Sequence, residues 1–264
     1  MPHNQIPSIG IFDSGVGGLT VFKEIKKHLP FVNLVYLGDT ARLPYGSKSQ
    51  KTIIEYSIQN CEFLLKENVS AIVVACNTAS ALALDTLQKT FSIPFYGVIT
   101  MASQIAVQQS KRRRVGVIGT KATIKSKAFA QTIAEIDKDV FVESVATPLL
   151  VPIVEESLEA HPITKTLLQD YLSPILEADI DTLILGCTHY PLLRKVLEEV
   201  VGTEIVLVDC ATALAKSLKK DFNSVTNMVS STDKISVTDD QESFLGLATK
   251  ILDNDTIKVK KFHF

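Results

Sequence analysis

Eight short apolar runs rich in β-branched residues recur along the chain: SIGIFDS near residue 10, LVYLGD near 36, AIVVACN near 74, PFYGVI near 96, RVGVIGT near 116, FVESVAT near 143, TLILGCT near 185 and EIVLVDC near 207. Each reads as a strand buried on both faces. Between them lie segments with helical spacing; over 51–66, Ile54, Ile58, Cys61, Leu64 and Leu65 fall on one stripe. Strands alternating with helices predict parallel sheets joined by right-handed crossovers.

Eight such strands overfill one small sheet and suit two. The chain also repeats itself in a weak way: SIGIFDSGVGG is echoed by RVGVIGTKAT, and AIVVACNTAS by TLILGCTHYP. In each echo the same kind of element ends in a small polar cluster. The predicted fold is therefore α/β, with two pseudo-symmetric doubly wound lobes of mainly parallel sheet and an active site in the cleft between them. Residues 1–98 plus 210–264 are expected to form the first lobe, and 99–209 the second. Within 210–264 the pattern predicts a short strand-helix-strand ending at Phe264. Ligands of open α/β sheets bind at the carboxyl ends of the strands, where every one of these polar clusters projects.

Composition narrows the class of partner. With 46% hydrophobic and 21% charged residues and a net charge of −2, the chain suits a folded protein whose partners are small molecules or a second copy of itself. No run approaches the roughly 18–20 apolar residues of a membrane helix, and MPHNQIPSIGIFDSG lacks the regions of a secretory signal, so a cytoplasmic address is expected. Cysteines 61, 76, 187 and 210 show no C-x-x-C spacing and are expected to be free thiols.

Cys76 and Cys187 each close a strand before a short polar turn. Either alone is readily a small buried hydrophobe. Both, however, are followed by hydrogen-bonding residues, Asn77-Thr78 and Thr188-His189, where a following helix would present unpaired N–H groups. Such a terminus is expected to lower a thiol's pKa from about 8.5. A single thiolate beside a histidine suits attack on a carbonyl. Two thiols on opposite sides of a substrate suit removal of a proton from one face and its delivery to the other, which inverts a stereocentre.

Other strand ends supply supporting groups. Asp13-Ser14 closes the first strand, and Gly15, Gly17 and Gly18 allow a tight turn and a close backbone approach to a small anionic group. The stretch matches neither G-x-G-x-x-G nor the lysine-containing phosphate loop, so a carboxylate suits it better than a dinucleotide. Asp13 either caps the next helix or takes part in chemistry. His3, His28, His161 and His263 are scattered without metal-ligand spacing, and no metal is expected. The basic run Lys111 to Arg114 reads as a solvated loop, with no nucleic-acid contact expected.

Taken together, FDSGVGGLTV, YLGDTARLPYG, VVACNTASA, VGVIGT with Thr123, VPIVEE and LILGCTHYPLL resemble the glutamate racemases within the cofactor-independent amino-acid racemases, in the expected order from residue 8 to about 209. The resemblance implies interconversion of L- and D-glutamate for peptidoglycan synthesis, with no cofactor and no metal, by a cytoplasmic homodimer. Cys76 and Cys187 match the two catalytic cysteines, the first removing the α-proton from D-glutamate and the second from L-glutamate. Asp13, His189 and Glu155 match residues that assist the thiols, although Glu156 adjoins Glu155. Asp13, Ser14, Tyr45, Gly46, Asn77, Thr78, Thr120, Thr123, Thr188 and His189 match positions that hold the substrate. Apart from Asp13 and His189 these are neutral donors, and recognition without Arg or Lys leaves fewer fixed charges to compete with two titrating thiols. Phe129 stands where many relatives carry tyrosine, in a place expected to touch no catalytic motif. Cys61 and Cys210 match no catalytic position and are expected in the core.

Three other functions fit parts of the pattern. An enzyme of the same group acting on aspartate would differ by one methylene of substrate. A thiol hydrolase would use Cys187, His189 and an acid but leave Cys76 idle. A two-lobed binding protein would hold glutamate without exchanging its α-hydrogen.

Overall fold

A computed structural model describes residues 7–222 and 232–263; His3 and Phe264 lie outside them. In chain order the elements are β1 (Ser8–Asp13), α1 (Leu19–His28), β2 (Asn33–Gly38), α2 (Gln50–Lys66), β3 (Ala71–Val74), α3 (Asn77–Leu82), α4 (Leu84–Thr90), β4 (Phe95–Gly97) and α5 (Val98–Gln109). There follow β5 (Arg114–Gly119), α6 (Lys121–Ser126), α7 (Ala128–Ile136), β6 (Phe141–Ala146), α8 (Leu150–Glu155), α9 (Pro162–Glu177), β7 (Thr182–Gly186), α10 (Arg194–Val201) and β8 (Val206–Asp209). The chain continues through α11 (Cys210–Phe222), β9 (Lys234–Val237), α12 (Gln241–Leu252) and β10 (Val259–Lys261).

The strands form two sheets, ordered β10-β9-β2-β1-β3-β4 and β6-β5-β7-β8, and their described pairings are parallel. The order β2-β1-β3-β4 of the first repeats as β6-β5-β7-β8 in the second. The two sequence echoes are thus topological equivalents, β1 with β5 and β3 with β7. In each sheet the chain reverses its direction of growth between those two strands, and the reversal opens a crevice at their carboxyl ends.

The inner strands β1, β3, β5 and β7 are buried on both faces, as their composition predicts; β6 and β8 are not, with Phe141 and Val206 exposed and most of their other residues only partly buried, because they are the edge strands of the second sheet. Ile9 and Ile11 of β1 point into a central core shared with Val115 and Val117 of β5 and Ile184 of β7, while Phe12 points into a separate cluster under α2. In the central core α1 packs on α11, α11 on α5, and α5 on β7 and β8. A third cluster joins Leu183 and Leu185 of β7 to Leu168, Leu172 and Ile175 of α9 on the outer face of the second sheet. Helix layers therefore alternate with sheets. Cys61 and Cys210 are buried free thiols within these cores, as expected.

The buried stripe of α2 lies slightly off the predicted one. Ile53, Ser57, Asn60, Cys61 and Leu64 are buried, whereas Ile54, Ile58 and Leu65 are only partly so. The helix is rotated toward the polar pair because Asn60 has a buried task, donating from Nδ2 to the Tyr45 hydroxyl at 3.0 Å.

Ile11 is fully buried in the middle of the first sheet, and truncating such a residue removes its transfer energy and leaves a cavity. Ile11→Ala is expected to lower stability by about 2–5 kcal/mol in urea titration. Leu245→Ala, at a position 36% exposed, is expected to change it by no more than about 0.5 kcal/mol.

Candidate active site

The carboxyl ends of β1, β3, β5 and β7 face one cavity of about 380 Å³. Both Cys76 and Cys187 line it, one from each sheet. Ser14, Tyr45, Gly46, Asn77, Thr78, Thr120, Glu155, Thr188 and His189 also line it, while Asp13 and Thr123 lie behind the wall. Gly15 lines it too, and sequence reasoning did not single out Leu43, Pro44, Ser47, Lys121, Pro148, Val151 and Pro152, which complete the lining. Their signal was weak, because exposure on a cavity wall is decided by the meeting of two sheets rather than by a local pattern.

Cys76 is the N-cap residue of α3, and its thiol lies 3.9 Å from the Ser14 hydroxyl. Contrary to the expectation from a helix terminus, its pKa is pushed up to about 12. Burial is the largest cause, followed by the Asp13 carboxylate; the Ala79 N–H and the Ser14 hydroxyl offset only part of this. Asn77 beside it is 2% exposed, and neither its amide nitrogen nor its oxygen has a partner within the described protein. A buried carboxamide without partners is costly unless a ligand satisfies it.

Across the cavity, the Cys187 thiol lies 3.8 Å from His189 Nδ1. No α-helix starts at once: a short 3-10 turn, Tyr190–Leu193, leads into α10. The Tyr190 hydroxyl anchors the turn on Thr147 Oγ1 at 2.6 Å. His189 Nε2 sits 3.2 Å from Glu155 Oε1 but is not aligned for a hydrogen bond, so the contact is one of charge. Burial alone would lower the His189 pKa; Cys187 and Glu155 overcome that and raise it to about 10. Glu155 thus faces the histidine and lines the thiol cavity, whereas Glu156 does not line it; both border a neighbouring cavity.

Asp13 is fully buried and accepts from the Gly15 N–H at 3.0 Å. Burial raises its pKa, against the pull of the His189 charge and of backbone N–H groups. Of the glycines that follow, Gly15 lines the cavity, whereas Gly17 and Gly18 are held in close packing. A Cβ on Gly17 would stand 2.4 Å from Thr188 Oγ1 and 2.5 Å from His189 Nδ1, and one on Gly46 would stand 2.6 Å from Thr120 Cβ.

Hydroxyl groups tie the two sides together. Thr78 Oγ1 lies 2.9 Å from Thr120 Oγ1 and 3.1 Å from Thr123 Oγ1, and the latter two are 2.9 Å apart, closing a ring of three. Thr20 Oγ1 shares its proton between the carbonyls of Gly17, at 2.9 Å, and Thr188, at 3.0 Å. The Tyr45 hydroxyl donates to Asp39 and accepts from Asn60, so Tyr45 presents its ring and backbone, not a free hydroxyl. Phe129 is not remote from the motifs: its ring lies 3.1 Å from where a Cβ on Gly186 would be, immediately before Cys187.

Two parallel α/β sheets present one thiol each to a common cavity, one backed by a carboxylate and the other by an imidazolium, an arrangement with the parts that paired acid and base catalysis requires. The sequence profile of the Asp/Glu/hydantoin racemases matches residues 9–218, and the chain belongs to that family. It is 46% identical to the glutamate racemase of Persephonella marina, over 94% of each chain. Among solved structures, a glutamate racemase isoform of Bacillus anthracis superposes with a TM-score of 0.94 at 35% identity, covering 99% of each chain. The glutamate racemase of Francisella tularensis in complex with D-glutamate superposes with a TM-score of 0.90 at 34% identity, covering 98% of this chain and 97% of that one.

Two measurements check these electrostatics. Alkylation with iodoacetamide, read by peptide mass spectrometry, is expected to label Cys76 increasingly as pH rises toward its pKa of about 12, while Cys61 and Cys210, which do not line the cavity, stay protected by burial. His189 has a folded pKa of about 10, above its ordinary value of 6.5, so its stabilising contribution is complete below about pH 6.5 and is lost as pH rises through 10. The melting temperature of the parent relative to His189→Asn is therefore expected to fall across that window. A difference that stays constant would contradict the charged, paired histidine.

Proposed function

We propose that this chain is a glutamate racemase that moves the Cα proton between Cys76 and Cys187 and supplies D-glutamate for peptidoglycan synthesis. The observation that carries the reading is the pair of thiols, delivered by equivalent strands of two sheets to one cavity. From D-glutamate, Cys76 as thiolate removes the α-proton and Cys187 as thiol protonates the opposite face; from L-glutamate the roles exchange. A base with a high pKa is better matched to a weak carbon acid but is seldom ionised on its own. The substrate ammonium beside Cys76 offsets its burial, and on the other side the His189 ring stands 3.8 Å from the Cys187 thiol. Asp13 assists the first thiol, and Glu155 holds His189 in its charged state.

Asn77 supports the substrate assignment, since its unpaired carboxamide can both donate to a carboxylate and accept from an ammonium. Ser14, Thr78 and Thr188, with backbone N–H groups of the Tyr45-Gly46 and Thr120 turns, are assigned to the two carboxylates, where preorganised donors also stabilise charge that develops on the α-carboxylate. No step requires a cofactor. We read the molecule as a cytoplasmic homodimer whose two lobes are 1–98 plus 210–264 and 99–209; among the described residues no helix is long and apolar enough to cross a membrane.

Cys76→Ala and Cys187→Ala are each expected to reduce racemisation of chelator-treated protein by about 10²–10⁴-fold without loss of fold. Full activity in Cys76→Ala would favour a one-thiol reaction. L-aspartate is expected to turn over about 10–200-fold less efficiently than L-glutamate, because it lacks one methylene; equal efficiency would reassign the substrate.

A further inference from the structure

Lys121 is the first residue of α6, directly after Thr120, whose hydroxyl accepts from the Thr123 N–H at 3.2 Å and caps the helix. The first turn of a helix is its positive end and disfavours a cation, so helix stability does not explain a lysine here. Lys121 is exposed and lines the cavity. Like many surface lysines of the chain, Lys121 has no ion-pair or hydrogen-bond partner among the described residues; what sets it apart is its place on the cavity, where it is the one lysine of the lining among the described residues.

The charges around the cavity give that ammonium a purpose. Besides Lys121, the charged side chains on its lining are His189 and Glu155, which neutralise one another at 3.2 Å, and the Asp13 carboxyl lies behind them. Without Lys121 the lining offers no positive surplus to an anion. Helix α6 packs against α3 and the turn at Tyr45–Ser47, so the lysine stands where the walls of the two sheets meet.

We propose that Lys121 is the capture residue of the cavity, drawing an anionic amino-dicarboxylate to its mouth and holding it there without taking part in proton transfer. This rests on the assignment of glutamate as substrate. It also qualifies the expectation of recognition by neutral donors: those donors orient the substrate inside, and a single mobile cation collects it outside. A long, flexible, strongly hydrated side chain suits that task, because it attracts without fixing a geometry that the two enantiomers could not share.

Steady-state racemisation by the full chain, measured for the parent, Lys121→Gln, Lys121→Glu and Lys121→Arg at low and high ionic strength, tests the proposal. At low salt, KM is expected to rise about two- to fivefold in Lys121→Gln and further in Lys121→Glu, with kcat unchanged and Lys121→Arg close to the parent. The differences should vanish near 1 M salt, where the screening length falls to about 3 Å. A parental KM in Lys121→Glu, a deficit that salt does not reduce, or a loss confined to kcat would each overturn the role of Lys121. A parent that fails to racemise glutamate at all would instead remove the function on which the proposal rests.

Discussion

The ring of hydroxyls formed by Thr78, Thr120 and Thr123 and the contact of Thr20 with the Thr188 carbonyl join the strand ends of two separate sheets. Everything at the site depends on that junction. Each sheet carries one thiol, and neither could form a two-sided cavity alone. The Gly17 backbone, with no side chain to hold it off, lies directly against Thr188 and His189. These short contacts, together with the apolar core that the two sheets share, hold Cys76 and Cys187 on one cavity.

Electrostatics then separates the roles of the two sides. Cys76 is held up by burial and by Asp13, while Cys187 faces His189, whose charge is supported by Glu155. The difference suits the proposed reaction, which needs one thiolate and one thiol in the substrate complex. The order of energies also explains why the N-terminus of α3 fails to acidify Cys76: a six-residue helix with its mouth in a buried cavity offers less than full desolvation removes.

Much of this was legible in the chain. The eight apolar runs are β1 to β8, and the paired echoes mark equivalent strands, since residues buried on both faces of a parallel sheet leave little freedom in composition. The strand-helix-strand pattern after 210 is realised as β9, α12 and β10 up to the last described residues. The contiguous motifs around Asp13, Cys76 and Cys187 lie on one cavity or directly behind it because strand ends carry them there. What escaped the sequence depends on long-range contact. Lys121 reads as an ordinary surface lysine, the polar face of α2 looks like solvent-facing residues until Asn60 meets Tyr45, and Phe129 gains its place only by packing under Gly186. The turn after Cys187 resembled a helix start, and the helix does follow, but only after a 3-10 turn, Tyr190–Leu193, that leads directly into α10.

The central claim is that two different groups act on opposite faces of one carbon, and the fate of isotope at the earliest conversion tests it most directly. With L-glutamate in deuterated water, the first D-glutamate formed should carry deuterium at Cα while the remaining L-glutamate stays unlabelled, since the face that loses the proton is not the face that receives solvent label. Deuterium appearing at equal rates in both enantiomers would show a single base serving both faces and would contradict the account.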